Sequence, residues 1–152
     1  MRVSSRRIAL ACGSFVTGLF LAFLWIREPL GTLTLEGLAA ARSKWTAAGV
    51  RNYRLHYRMH GADYEIEVTD SVVVRALVNG IAPRTPDWQV FGVEGLFDIL
   101  DQELDLAAGP RGTGILQRVR FHDRYGYVER YLRTGMGTLR GAEIEVLELA
   151  RP

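Results

Sequence analysis

A chain of 152 residues, 24% charged and 48% apolar, has room for one folded domain and not for two. Arg2, Arg6 and Arg7 precede the first acid, so from Arg27 onward 16 basic residues face 17 acidic ones; this near-neutral body argues against nucleic acid, which demands a concentrated basic face. The single cysteine, Cys12, excludes an intrachain disulfide and a cysteine-based zinc site.

Residues 1–7 form a basic N-terminus. Residues 8–26, IALACGSFVTGLFLAFLWI, carry no charge and as a helix would span about 28 Å, close to the thickness of a bilayer core. Arginines before the run, and Trp25, Arg27, Glu28 and Pro29 at its far end, predict an uncleaved signal anchor. That places the N-terminus in the cytoplasm and the remainder in the periplasm or outside the cell, with the lipid bilayer as a partner through residues 8–26. A cleaved signal peptide would have a shorter apolar run and a small-x-small site, where this chain has Phe23, Leu24, Trp25 and Ile26. Ser14, Gly18 and Ala22 at four-residue spacing offer a homodimer contact between membrane helices.

After a linker over 27–33, an extracytoplasmic domain is expected over 34–150. Thr32 or Thr34 caps a helix through LEGLAAARSKWTAA, with Trp45 in the core and Gly49 as its stop. The period then falls to two. Tyr53, Leu55, Tyr57 and Met59 alternate with Arg54, His56, Arg58 and His60, and Tyr64, Ile66 and Val68 alternate with acids. A type II′ turn at Gly61-Ala62 would set Tyr57 opposite Ile66, Arg58 opposite Glu65 and His56 opposite Glu67. Val72 to Val78 is a third strand ending at Asn79-Gly80, and its return is cut short by Pro83 and Pro86. Val93 to Leu104 is a second helix with an apolar stripe, its acids on the wet face. Ile115–His122 and Tyr127–Arg133 form a further hairpin, with Phe121 opposite Val128 and Arg120 opposite Glu129, and Ala142–Leu149 closes the domain. The expected fold is α+β: an N-terminal transmembrane helix, then an α-β(3-4)-α-β(3) domain whose mostly antiparallel sheet is covered by helices on one face.

Trp45…Asn52-Tyr53-x-x-x-Tyr57, the hairpin strand with Val74…Asn79-Gly80, Val93-Glu94-x-Leu96-Phe97 and Val119-x-Phe121-x-Asp123…Gly126-Tyr127 together resemble a family of small bacterial exported or membrane-anchored proteins classed as a domain of unknown function. The resemblance covers about residues 40–149. It implies export and the strand order, and names no activity. That family's close cysteine pair near the first hairpin is missing here, so no role tied to it carries over.

The chemistry-bearing residues are few. His56 and His60 would stand about 13 Å apart along a strand, too far to share a metal. His56 beside Glu67 is an acid-base pair in outline, and the loop from His122 to Tyr127 is the densest group of functional side chains. No GxSxG, Walker loop, GxGxxG or HExxH occurs. The expected function is a non-enzymatic, membrane-anchored domain without cofactor, metal or catalytic residue, binding an envelope protein or small ligand. The alternatives are a small enzyme using His56 and Glu67 or the His122–Tyr127 loop, and an oligomeric membrane component assembled through Ser14, Gly18 and Ala22.

Overall fold

The computed structural model describes residues 29–109, 114–135 and 141–151. Leu33 is buried, and Gly31–Thr32 already forms a short strand, β1, so the stretch expected as linker joins the domain. Helix α1 (Leu35–Ala48) begins where the Thr34 hydroxyl accepts a hydrogen bond from the Gly37 N–H at 3.1 Å. It ends at Gly49, which takes the left-handed conformation, φ 60°.

A meander of β2 (Tyr53–Met59), β3 (Ala62–Thr69) and β4 (Val72–Val78) follows. All three of its turns are two residues long with positive φ at both: His60-Gly61, Asp70-Ser71 and Asn79-Gly80. These are type I′ turns, whose twist matches that of the strands they join. Asn52 and Asn79 fasten neighbouring turns, accepting from the Asp70 N–H (2.7 Å) and the Asp63 N–H (2.9 Å) through their side-chain oxygens.

The first turn corrects the predicted register. With His60-Gly61 at the bend, Leu55 faces Ile66 and Tyr57 faces Tyr64, two positions away from the pairing expected for a Gly61-Ala62 turn. A shift of two leaves every side chain on its own face, so the apolar alternation fits both registers and turn chemistry decides. The second hairpin does place Phe121 opposite Val128; a bulge there makes Arg120 the partner of Arg130 while its side chain still reaches Glu129 at 2.7 Å.

A 3₁₀ turn at Gln89–Phe91 leads into helix α2 (Val93–Ala108), whose first N–H donates to the Tyr53 hydroxyl at 3.1 Å. Strands β5 (Leu116–Phe121), β6 (Val128–Thr134) and β7 (Ala142–Ala150) form a second meander. All seven strands make one antiparallel sheet in the order β1-β5-β6-β7-β2-β3-β4, joined at its centre by β7 and β2. Both helices pack on one face. Leu38, Ala41 and Trp45 of α1 and Val93, Leu96, Phe97 and Leu100 of α2 meet Leu55, Tyr57, Ile66, Tyr131 and Ile144 of the sheet. The helices are tied by Arg42, which reaches Asp98 and Asp101 at 2.9 Å each.

The architecture therefore differs from the expected one. Among the described residues no helix is long and apolar enough to cross a membrane. The longest, α2, would reach about 24 Å and carries Glu94, Asp98, Asp101, Glu103 and Asp105. Residues 8–26, with Ser14, Gly18 and Ala22, lie outside the described residues. The transmembrane helix, the signal anchor and the single-pass placement with an outer domain therefore find no support among the described residues. The described chain is a seven-stranded antiparallel sheet with two helices.

Tyr57 occupies the centre of the covered face. It is fully buried and its ring stacks on Tyr64 with centroids 4.6 Å apart and planes 6° from parallel. Its hydroxyl has no hydrogen-bond partner among the described residues, and burial raises its pKa above the ordinary tyrosine value. Tyr57→Phe keeps the stack and deletes an unsatisfied polar atom. Chemical denaturation should show stability unchanged or raised by up to about 1 kcal/mol; a loss larger than that would mean the hydroxyl is bonded in the folded protein.

Candidate functional site

The helix-free face of the sheet gathers the strands' charged residues. Arg130 on β6 pairs with Glu143 on β7 at 2.9 Å, Arg58 on β2 with Asp63 on β3 at 3.2 Å, and Arg54 with Glu67 at 4.0 Å. His56 stands between Glu148 of β7 and Glu65 of β3 in register, and its Nε2 lies 3.8 Å from the Asp63 carboxylate that also holds Arg58. Glu67 faces Arg54, so the expected His56–Glu67 pair does not form. His60 is spent on the turn, with φ 52°, and donates its N–H to the Glu143 carbonyl. These are exposed pairs worth a few tenths of a kilocalorie each. A shallow cleft of about 520 Å³ lies among Arg54, His56, Glu65, Glu67, Arg75 and Glu148.

The His122–Tyr127 loop is assembled as a structural turn. The Nδ1 of His122 accepts from the N–H groups of Arg124 (3.2 Å) and Tyr125 (3.3 Å), and its ring stacks on Tyr127 at 4.7 Å. Asp123 offers its backbone carbonyl to Lys44 Nζ at 3.2 Å, while the His122 Nδ1 is taken up by the two N–H groups of the turn. Gly126, at φ 77°, brings the loop onto α1 so closely that a Cβ there would fall inside the shells of the Ala41 carbonyl and the Lys44 Cβ. Arg124 and Arg151 both lie over the Tyr125 ring, at 5.2 and 4.4 Å. Among the described residues no group of three or more histidine, cysteine or acidic side chains is placed to hold a metal ion.

Two arrangements escaped the sequence reading. Glu103, assigned there to the wet face of α2, is only 14% exposed and accepts from Arg133 Nη1 at 2.7 Å and from the Tyr131 hydroxyl at 2.9 Å. Burial, followed by this bond to Glu103, raises the pKa of Tyr131. Gln117 on β5 donates to the backbone carbonyl of Glu103 and completes the cluster. The signal was available: Leu96, Leu100 and Glu103 fall at i, i+4 and i+7, on the stripe that faces the sheet.

The second is the free edge of the sheet. Val72 and Val74 on β4, Ile81 just beyond it and Val90 in the 3₁₀ turn are 47–73% exposed and make up four of the seven large apolar side chains exposed among the described residues. Val78 exchanges both backbone bonds with Ile81 (2.8 and 3.1 Å) on the side away from β3. By the alternation of an antiparallel ladder Ala76 also directs its N–H and C=O outward. At the other end the Val73 N–H donates to Gln89 Oε1 at 3.3 Å. Between these stops Ala76 is the residue whose backbone groups face outward, with Arg75 and Leu77 bonded inward to β3, and Val74 is the extra residue of a bulge against β3. Comparison with family models, with curated proteins and with solved structures finds no match, so a functional reading rests on these residues alone.

Proposed function

We propose that this domain is a protein-recognition module that accepts an extended segment as an additional strand along β4. The observation that carries the reading is the coincidence of an open backbone rim with the exposed apolar residues Val72, Val74, Ile81 and Val90 spread along it. Sheet edges are normally blunted by charge, and exposed apolar patches mark contact surfaces. Strand addition uses both features at once: backbone bonds supply affinity and alternate side chains supply selection. The histidines and the Glu103 cluster are already engaged in turns and ion pairs, whereas this rim has capacity left.

A labelled ten-residue peptide of alternating valine and threonine, blocked at both ends, is expected to bind the full-length protein and to protect the amides around residues 74–77 from hydrogen exchange. Replacing Val72, Val74 and Ile81 together by serine should weaken binding about tenfold or more, with the fold intact because all three are exposed. Protection mapping to the α1–α2 groove or to the His122 loop, or no binding at all, would remove the edge from consideration.

A further inference from the structure

Resting on that edge reading, we infer that the accepted strand is acidic as well as apolar, with a carboxylate directed at Arg75. From β6 to β4 the sign alternates strand by strand across the open face, whereas β5 and β6 meet with like charges at Arg120 and Arg130. Arg130 stands on β6, Glu143, Glu145 and Glu148 on β7, Arg54, His56 and Arg58 on β2, Asp63, Glu65 and Glu67 on β3, and Arg75 on β4. Each boundary from β6 to β3 is bridged by register partners of opposite charge; two of these, Arg58–Asp63 and Arg54–Glu67, lie within 3.2 and 4.0 Å, and Arg130 reaches past its register partner Glu145 to Glu143 at 2.9 Å. The last boundary is different. Glu67, the register partner of Arg75, is held by Arg54 from the opposite strand, and Arg75 pairs with no carboxylate among the described residues. A strand added outside β4 continues the sheet, and the vacant sign in the alternation is negative.

The same geometry argues against a second copy as the occupant. Two β4 edges meeting about Ala76 would set Arg75 against Leu77 of the other copy, leaving both guanidinium groups unmatched. A separate segment with acids at alternate positions satisfies the bonding rim and the charge together.

The probes are three blocked ten-residue peptides in which valine alternates with glutamate, lysine or threonine, measured by fluorescence anisotropy against the full-length protein. An exposed charge pair carries a small energy, so the glutamate peptide should bind about fivefold more tightly than the lysine peptide at low salt, and the difference should shrink in 1 M salt. Arg75→Glu should reverse the order while leaving the threonine peptide unchanged. Equal affinity for all three, each lost in the serine variant of Val72, Val74 and Ile81, would overturn the acidic partner and leave the edge reading standing; a preference for lysine in the unaltered protein would do the same. Failure of every peptide removes both. Concentration-dependent dimerisation abolished by the serine variant would give the edge to a second copy and overturn the inference.

Discussion

Gly95→Ala is expected to destabilise the domain by about 2–3 kcal/mol and to lower its melting temperature by on the order of 10 °C. The sign of this effect is informative. In an open helix the substitution would stabilise by up to about 1 kcal/mol, because alanine outranks glycine in helix propensity. Here a Cβ would fall inside the shell of the Val90 carbonyl oxygen, with the Val90 Cα 2.8 Å away. Both are backbone atoms of the 3₁₀ turn, so no side chain can swing aside. Relief requires Gln89–Phe91 to lift from α2, which also pulls Gln89 from the Val73 N–H at the end of the β4 rim. Calorimetry reads the stability, and hydrogen exchange at Val73 reads the displacement. A variant as stable as the parent, with Val73 still protected, would show that the turn is not seated as described.

Glu103→Ala is expected to cost about 3 kcal/mol, the lower end of the range for breaking a buried ion pair. The side chains of Glu103 and Arg133 are 14% and 12% exposed, and the fully buried Tyr131 hydroxyl shares the carboxylate. Truncation removes the carboxylate that a guanidinium and a phenol, both shielded from water, share. Replacing both partners by apolar residues of similar size, Glu103→Leu with Arg133→Met, should recover much of the loss, since the desolvation cost then disappears with the charge. The control is Glu65→Ala on the open face, expected to change stability by less than about 0.5 kcal/mol. Equal denaturation midpoints for the Glu103 and Glu65 variants would show that burial adds nothing to the pair.

Elements with a strong local period were legible in the sequence. Helix α1 follows from Thr34, Trp45 and Gly49, and the Asn79-Gly80 turn from its dipeptide, because each is decided within a few residues. The register between β2 and β3 was not, since apolar alternation is blind to a shift of two and a non-glycine residue, His60, takes the first left-handed position of the turn. The membrane placement rested on residues 8–26 and the charges flanking them, which lie outside the described residues, and nothing among the described residues supports it. Of the candidate site, the His122 loop was visible as a cluster and misleading as chemistry: its ring nitrogen serves the turn. The β4 rim was hidden for another reason. Val72, Val74 and Ile81 look like core residues until the strand order places β4 outermost, and that order depends on pairings between distant parts of the chain.

The central junction of the sheet has a consequence for how the chain reaches its native state. Each meander closes through turns of a few residues, but β2 meets β7 across a gap of roughly ninety, as between residues 57 and 146, and closing so long a loop costs about 3 kcal/mol more than closing a hairpin. Two half-sheets can thus assemble cheaply and wait, each with an uncovered greasy side, until Tyr57 finds Val146 and Met59 finds Ile144. Changes along that seam would therefore act first on the speed of assembly and on clumping during it.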